Sequence, residues 1–344
     1  ILEINKKIEN SNIEIVFFEV DYYKFINLFF INKIKNVKKI LMTFDDYDLH
    51  DRNAITANAC DIVLSHCPLS VLKYQEKGYE AYMLDGEDTK LIENQKNLKK
   101  DIDVLFFGDL TKDRKNILDY LIKKGINVKN IGHDKVTPGV SDEELIKLVS
   151  KSKIVLNLSK SRSSSVKSFN SENVYKFFYQ YKGRILMAGF NGVACISEYA
   201  PGIEIFFKKG EVLTFHTKEE CFKILQELLS DDKLLENYTN NFVLKVKETC
   251  NEKKAFETIY NAIEKSNHHK VKLIKIPYWY LRIAAKHIIL RNIKLSNLLK
   301  AIFQFKVIFS MLKNSNIFVK FLILSETLLN ALWYSFALTV KPKK

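Results

Sequence analysis

The chain has 344 residues, of which 47% are hydrophobic and 27% charged, enough for about two domains with substantial cores. This composition excludes a disordered chain, a collagen-like repeat and a small disulfide scaffold. The five cysteines are scattered and odd in number, without a C-x-x-C pair, which predicts a reducing compartment and argues against a structural zinc site. The chain opens at Ile1 in charged sequence, so we expect a fragment in which no signal peptide is visible.

The net charge of +14 is concentrated at one end of the chain. Residues 266–344 contain 14 Lys and Arg and one acid, Glu326, whereas the rest of the chain carries a net charge of only +1. A basic folded domain is therefore not expected. Because no recognition module accompanies the charge, we also expect no nucleic-acid partner.

Short β-rich runs alternate with helix-period segments through the first 265 residues. Strands are predicted at 13–20, 39–44, 61–65, 80–84, 103–107, 127–131, 153–157 and 193–197. Helices are predicted at 22–34, 68–78, 113–124, 141–150 and 217–229, the last two opening with capping boxes. This alternation is typical of parallel sheets covered by helices. With a polar crossing at 85–101, it predicts two Rossmann-like α/β domains facing a cleft, at 1–98 and 99–265.

Several common functional motifs are missing from the sequence. There is no G-x-x-x-x-G-K-[ST], no G-x-G-x-x-G and no H-E-x-x-H, and the first 77 residues contain no glycine. P-loop ATP hydrolysis, ordinary dinucleotide binding and a metal centre are therefore disfavoured. His50 and His66 lie near predicted strand ends, where ligands usually gather, although lone loop histidines are the alternative interpretation.

The most informative segment runs from 181 to 215. It predicts a helix starting at Lys182-Gly183-Arg184, a break at Gly189 and Gly192, a buried strand, and a short helix opening at Ile203-Glu204. Helix N-termini attract phosphate through free N–H groups and the helix dipole. Arg184 adds a bidentate donor for a diphosphate, and Glu204 adds a carboxylate suited to ribose hydroxyls. Together these groups predict a nucleoside-diphosphate site.

These residues resemble the CgeB-type, family-4-like glycosyltransferases of the GT-B fold (glycosyl transferases group 1). The family's "KGR", "P-G-x-E-x-x-F" and "G-x-E-V-V-x-F" motifs are similar to Lys182-Gly183-Arg184, Pro201-Gly202-x-Glu204-x-x-Phe207 and Gly210-Glu211-Val212-x-x-Phe215. Upstream, the resemblance extends to Phe106-Phe107-Gly108, to the strand at 153–157, and to the segments at 44–46 and 61–65. It covers about residues 13–265, and it implies that the chain begins inside the first domain.

The resemblance implies a metal-independent, hexosyltransferase-like enzyme. Such an enzyme moves a sugar from a nucleoside-diphosphate sugar to a glycan or lipid-linked acceptor in cell-surface polysaccharide synthesis, without a cofactor besides this donor substrate. The resemblance does not identify the catalytic residues. The donor-binding candidates are Gly108, Asn157, Lys182, Arg184, Glu198, Gly202, Ile203 and Glu204. The acceptor-side candidates, in the 1–98 domain, are Asp45, Asp46 and His66, although an Asp pair after a strand is also common turn chemistry.

One position departs from the family pattern. Where the family has Glu in "R-x-F-E", this chain has Met187. We expect Glu198 and Glu204 to supply carboxylates instead. The alternative is a catalytically inactive GT-B-like module that binds a glycan or a partner at the membrane.

Residues 266–344 form a basic, apolar tail in which helices are predicted. Its stretch 321–340 has a single charge, Glu326, and could barely span a bilayer. Glu326 and Asn330 would be costly there, so a basic amphipathic surface helix fits better. This predicts a cytoplasmic protein peripheral to the inner face of the cell membrane and bound to anionic lipid. The alternative is that the tail packs on the folded body.

Overall fold

The structure is a computed structural model of the chain. It describes residues 2–20, 26, 28–44, 46–84, 98–132, 139–160, 183–266, 276–290, 308, 312, 317 and 319–325. Two candidate site residues, Asp45 and Lys182, lie outside the described residues. So do Glu326, Asn330 and most of the predicted crossing at 85–101.

The first sheet has four strands in the order β1-β2-β3-β4. The strands are β1 (Ile15–Val20), β2 (Lys38–Thr43), β3 (Ile62–Ser65) and β4 (Ala81–Met83), and the helices between and before them are α1 (Leu2–Asn10), α2 (Leu28–Ile31), α3 (Asp46–Ala57) and α4 (Pro68–Glu76). Strand β3 pairs in parallel with β4, and every residue of β3 is buried. A strand buried on both faces is typical of a parallel sheet covered by helices.

The second sheet has five strands in the order β6-β5-β7-β8-β9, and all of its neighbouring strands are parallel. The strands are β5 (Ile102–Phe107), β6 (Val128–Ile131), β7 (Ser152–Asn157), β8 (Ala194–Glu198) and β9 (Leu213–Phe215), with helices α5 (Lys112–Lys123), α6 (Asp142–Ser150) and α7 (Arg184–Phe190). The two parallel sheets confirm the predicted α/β architecture. The domain boundaries at 98 and 265 stay a prediction.

Three helices follow the second sheet: α8 (Lys218–Ser230), α9 (Asp232–Thr249) and α10 (Glu252–Lys265). Side chains of Thr217, Asp231 and Asn251 cap their N-termini by accepting backbone N–H groups. The predicted capping box at 217–220 is confirmed, because Thr217 Oγ1 accepts from Glu220 N while Glu220 Oε2 accepts from His216 N. In the capping box predicted at 141–144, Ser141 accepts from Glu144 N, as expected.

Two predicted features of the segment 181–215 are confirmed only in part. The break predicted at Gly189 and Gly192 is found at Gly192, which has a φ of +69° just after α7 ends at Phe190. Gly189 does not break a helix but lies inside α7, where a Cβ would come within 2.6 Å of Val246 on α9. Glycine fits this position because the two helices approach closely. The helix predicted at Ile203 is a single 3-10 turn, Ile203–Ile205, that follows Gly202 at a positive φ of 95°.

The chain divides into two compact units. One comprises Ile1–Leu41, Arg52–Asp61 and His268–Lys344, and the other comprises Met42–Asp51 and Ile62–Asn267. In the first unit, helix α11 (Tyr278–Leu290) buries Tyr280, whose hydroxyl accepts from Leu28 N at 3.0 Å and lies 2.9 Å from Thr56 Oγ1. Helix α11, at the start of the tail, therefore packs on folded residues of its unit, as the alternative interpretation of the tail predicts. Among the described helices, none has the length and apolar character to span a membrane.

Candidate functional site

The strands of the second sheet end together at one edge, because all of them are parallel. Phe107, Asn157, Glu198 and Phe215 are the last residues of β5, β7, β8 and β9. In open α/β sheets, ligands bind beyond the carboxyl ends of the strands. This edge therefore provides the frame for the donor-binding candidates.

Arg184, the first residue of α7, reaches the ends of two strands. Its Nε donates to the carbonyl oxygen of Phe107 at 2.5 Å, and its Nη1 donates to Asn157 Oδ1 at 3.3 Å. The guanidinium carbon also lies 5.2 Å from the ring centroid of Phe106 and 5.5 Å from that of Phe107, within cation–π range. The structure therefore brings a cation, partly covered by aromatic rings, to the ends of β5 and β7.

Gly108 makes room for this cation. Its φ of +123° is a conformation that L side chains rarely adopt, and a Cβ there would lie 2.1 Å from Nη2 of Arg184. The backbone thus favours glycine at this position, and any larger residue would displace the guanidinium of Arg184. The structure brings Gly108 and Arg184 into direct contact.

Asn157 is fully buried at the end of β7. Its Nδ2 donates to Ser159 Oγ at 3.1 Å and to Ser197 Oγ at 2.8 Å. These two bonds point Oδ1 of the amide toward Arg184. Asn157 therefore orients the cation and is itself oriented by two serines.

Glu198 is the last residue of β8, and its side chain holds neighbouring backbone in place. Its Oε2 accepts from the backbone N–H groups of Ser159 at 2.8 Å and Lys160 at 2.9 Å. Burial raises the pKa of this carboxyl, while the two backbone hydrogen bonds oppose the rise. The carboxylate thus joins the segment after β7 to β8.

The turn after β8 contributes one exposed carboxylate. Glu204 accepts from Gly202 N at 3.2 Å, and it bonds the hydroxyl of Tyr199, an interaction that raises the pKa of Tyr199. The side chain of Ile203 is buried in the core. A single 3-10 turn aligns few peptide dipoles, so the phosphate-attracting helix start expected at Ile203 is absent from this turn.

Two of the acceptor-side candidates, Asp46 and His66, lie at the carboxyl edge of the first sheet. Asp46 is buried, and its carboxylate accepts from the hydroxyls of Thr43, Ser65 and Tyr74. His66 is half-buried and stacks on Phe44 with ring centroids 4.7 Å apart. Burial lowers the pKa of His66 to about 4, so its imidazole is neutral near pH 7.

His50 lies inside the fold. Its ring packs on Tyr74 with centroids 4.5 Å apart, and burial, with smaller contributions from Lys77 and Lys73, lowers its pKa to about 3. Of the two histidines near strand ends, the structure keeps only His66 partly open to solvent.

Residues 89–254 match the profile of a protein family described as "Glycosyl transferase-like". This range contains the second sheet and every donor-binding candidate named above. The matched range spans just under half of the chain and, with the two parallel sheets, indicates glycosyltransferase activity and a GT-B fold. The chain's assignment to the CgeB-type subfamily stays a prediction.

Solved structures support the fold of this glycosyltransferase. Anabaena Alr3699/HepE, solved in complex with UDP, has a TM-score of 0.51 at 9% identity, over 76% of this chain and 81% of that chain. An alpha-glucosyltransferase, solved with UDP-glucose and DNA containing an abasic site, has a TM-score of 0.53 at 14% identity, over 76% and 84% of the two chains. No curated protein sequence matches the chain.

Sequence reasoning missed several residues at the edge of the glycosyltransferase's second sheet. They are the rings of Phe106 and Phe107, the serines at 159 and 197, and the pair Tyr199 and His216. Their shared signal is that each lies at or next to the carboxyl end of a parallel strand. In the described part of the chain, no group of three His, Cys, Asp or Glu side chains could hold a metal ion, and the five cysteines are buried and form no disulfide.

Proposed function

We propose that this glycosyltransferase takes its sugar from a nucleoside-diphosphate sugar and binds the diphosphate through Arg184. The observation that carries the proposal is the position of the Arg184 guanidinium at the ends of β5 and β7, inside the range that matches the family profile. A planar cation held by a carbonyl and an amide is preorganised, so little side-chain entropy is lost when it binds an anion.

The other donor-binding candidates position Arg184, contact the donor or hold the surrounding segments in place. Gly108 and Asn157 position the guanidinium, Lys182 adds a second positive charge next to it in sequence, and Glu204 bonds ribose hydroxyls. Glu198 and the buried Ile203 hold the strand ends and the turn in place. The leaving diphosphate is stabilised by protein cations, as the family resemblance implies, and the donor enters as a substrate with no further cofactor.

The proposed acceptor is a glycan or a lipid-linked sugar used in cell-surface polysaccharide synthesis. His66 supports an acceptor side at the first sheet, because its neutral imidazole can both donate to and accept from sugar hydroxyls. Asp46 and its three hydroxyl partners, with Asp45 beside it in sequence, support this edge. Outside the tail the chain is nearly neutral, which favours such an acceptor over a nucleic acid.

A position at the inner face of the cell membrane completes the proposal. The 14 basic residues of 266–344 and the exposed Tyr278 and Arg282 on α11 support contact with anionic lipid. Five cysteines without a disulfide fit the reducing cytoplasm.

Calorimetry with UDP and GDP tests the donor site. UDP comes first, because HepE was solved in complex with UDP. We expect Arg184→Ala to weaken binding by about 1.5–3 kcal/mol, the usual range for a hydrogen bond to a charged group, with Arg184→Lys recovering part of the loss. Arg282→Ala, which removes an exposed arginine of α11, is the matched control. Unchanged affinity in a folded Arg184→Ala protein would remove Arg184 from the site.

The second candidate function is a catalytically inactive module that binds a glycan or a partner. It is favoured by Met187, which stands where the family has Glu and packs against the core of the second sheet. Hydrolysis and transfer assays with UDP- and GDP-sugars separate the two functions. Nucleotide binding without any release of sugar would support the inactive module.

A further inference from the structure

Helix α10 (Glu252–Lys265) has one side inside the fold and one side open to solvent. Its inner side includes Ala262, which is fully buried, and the helix lies against β3 and β4. On the outer side, Phe256 is 68% exposed and Tyr260 is 63% exposed. Single apolar side chains on a surface are common, but these two rings are four residues apart on a helix and are therefore neighbours. Together they form an exposed aromatic patch.

Charged side chains extend this patch toward both ends of the helix. Residues Lys253, Glu257, Tyr260 and Glu264 follow one another at spacings of four, three and four, which keeps them on one side of an α-helix. Phe256 lies beside this row. The row begins with an exposed lysine and ends with an exposed glutamate. We call these five residues the outer face of α10.

The row of residues is complementary to its own reverse. When two copies of α10 lie antiparallel with Lys253 of one copy facing Glu264 of the other, Glu257 of one copy faces Tyr260 of the other. Each lysine then meets a glutamate, and each tyrosine hydroxyl can donate to a carboxylate. A parallel pair would instead bring lysine to lysine and glutamate to glutamate. The charges of the outer face therefore match a second, antiparallel copy of the same helix.

The area of this contact indicates how strong it is. Aromatic side chains bury about 150–250 Å² each, so four rings that are about two-thirds exposed remove on the order of 400–600 Å² from water. The helix surface around them adds area, but the total stays near the lower end of specific interfaces, about 1,200 Å². Exposed ion pairs add little affinity and mainly select the orientation. The expected complex is a weak dimer with a micromolar dissociation constant.

We propose that the outer face of α10 is a docking surface for a second copy of this chain. The two copies pair through antiparallel α10 helices across a two-fold axis, so that the same face is used on both. Phe256 and Tyr260 of each copy supply the apolar centre, and Lys253 and Glu264 fix the antiparallel direction. Helix α10 carries none of the donor-binding or acceptor-side candidates, and the inference therefore does not rest on the proposed function.

Sedimentation velocity of the full chain, from about 1 μM to about 500 μM, tests the dimer because this range brackets a micromolar dissociation constant. We expect the sedimentation coefficient to rise with concentration as a monomer–dimer equilibrium requires. Tyr260→Glu brings two glutamates face to face and should weaken association at least tenfold, and Phe256→Ala should weaken it at least threefold. Both positions are exposed, so urea unfolding should show stability close to the wild type. Ile122→Glu, at an exposed position of α5, is the matched control and should dimerise normally.

A charge exchange tests the antiparallel direction. Lys253→Glu and Glu264→Lys each bring like charges together, and each should weaken the dimer at least threefold. The variant that carries both changes restores opposite charges in reversed order and should dimerise like the wild type. A wild-type chain that stays monomeric over the whole concentration range would overturn the inference, as would a dimer that neither Tyr260→Glu nor Phe256→Ala weakens. A double charge variant no stronger than the two single variants would overturn the antiparallel pairing.

Discussion

Glu198 shows how a single carboxylate can hold two segments of the second sheet together. Its Oε2 accepts two backbone N–H groups from the segment after β7, while its own backbone belongs to β8. Burial raises the pKa of the carboxyl above its usual range. The folded protein therefore binds this proton more tightly than the unfolded chain does.

This raised pKa gives a pH dependence of stability. The contribution of Glu198 is fully present below the usual carboxyl pKa and is lost as the pH rises through the higher folded value. Glu198→Gln keeps an oxygen acceptor and removes the titration, so its stability should not fall over that interval. Glu198→Ala leaves two buried N–H groups without acceptors and should cost about 1–3 kcal/mol. Urea unfolding across this pH range tests both variants, and Glu236→Gln, at an exposed position of α9, should show the same change of stability with pH as the wild type.

Gly108 links backbone conformation to the proposed diphosphate site. Gly108→Ala forces a side chain into a positive φ and places its Cβ on the Arg184 guanidinium. Gly125→Ala is a matched control, since Gly125 has a φ of +89° but nothing within 4 Å of the point where its methyl group would lie. Both variants should lose about 1–2 kcal/mol of stability. Only Gly108→Ala should also lose UDP affinity, by about tenfold, and equal UDP affinity in both proteins would contradict the role of Arg184.

At the scale of elements, helices α7 and α9 pack so closely that one position tolerates only glycine. A Cβ at Gly189 would lie 2.6 Å from both Cβ and Cγ2 of Val246. Arg184 is the first residue of helix α7. The packing of α7 on α9 therefore also determines the position of Arg184 at the edge of the sheet. A change in the contact between the two helices should therefore move Arg184.

Gly189→Ala should destabilise the protein by about 1–3 kcal/mol through overpacking, although alanine favours a helix more than glycine does. In a Val246→Ala background the same change should cost less, because the clashing methyl groups are gone. A double-mutant cycle measured by denaturant unfolding gives the coupling. Additive free energies would show that the two side chains do not compete for this space.

Helix α11 is anchored by one buried hydroxyl. Tyr280→Phe removes the acceptor of Leu28 N and the partner of Thr56 Oγ1, and it should cost about 1–3 kcal/mol of stability. Tyr278→Phe changes an exposed tyrosine two residues away and should stay within about 0.5 kcal/mol of the wild type. Hydrogen exchange of the Leu28 N–H, which donates to the Tyr280 hydroxyl, shows whether the loss of stability arises at this contact. Equal stability of the two variants would mean that α11 is not held through this hydroxyl.

At the scale of the whole molecule, the charge distribution separates a nearly neutral body from a strongly basic tail. Because α11 is packed into its unit through Tyr280, deleting the tail would disturb folding and membrane binding together. Replacing charges while keeping the apolar residues separates the two effects.

We expect the full chain to sediment with vesicles of phosphatidylglycerol and phosphatidylcholine, and much less with phosphatidylcholine alone. Changing Lys270, Lys272, Lys275 and Arg282 together to Gln should weaken this binding by about 1 kcal/mol for each charge removed. Salt should loosen the remaining binding only in part, since it screens charges but not buried apolar area. A control with four exposed lysines of the body, Lys115, Lys233, Lys253 and Lys254, changed to Gln should bind like the wild type. Equal loss in both quadruple variants would contradict a specific role of the tail.

Local sequence patterns were enough to predict the α/β architecture and to propose a region for the site. Alternating strand and helix patterns, the capping boxes at 141–144 and 217–220, and the Lys182-Gly183-Arg184 segment are local signals, because each depends on residues a few positions apart. They were sufficient to predict the two α/β sheets and to select Arg184, whereas the family resemblance selected Gly108 and Asn157. The short strand β9 and the helix α1 were not recognised, since three residues, or a charged helix, give little periodic signal.

The contacts of the selected residues depend on how distant segments of the chain pack together. Arg184 and Phe107 are 77 positions apart, Gly189 excludes a side chain because of Val246, and Glu198 bonds backbone groups near position 160. None of these pairs leaves a local pattern, because each is created when parallel strands bring distant residues to one edge of a sheet. For the same reason the pairing of Tyr199 with His216 became visible only when β8 and β9 were found side by side.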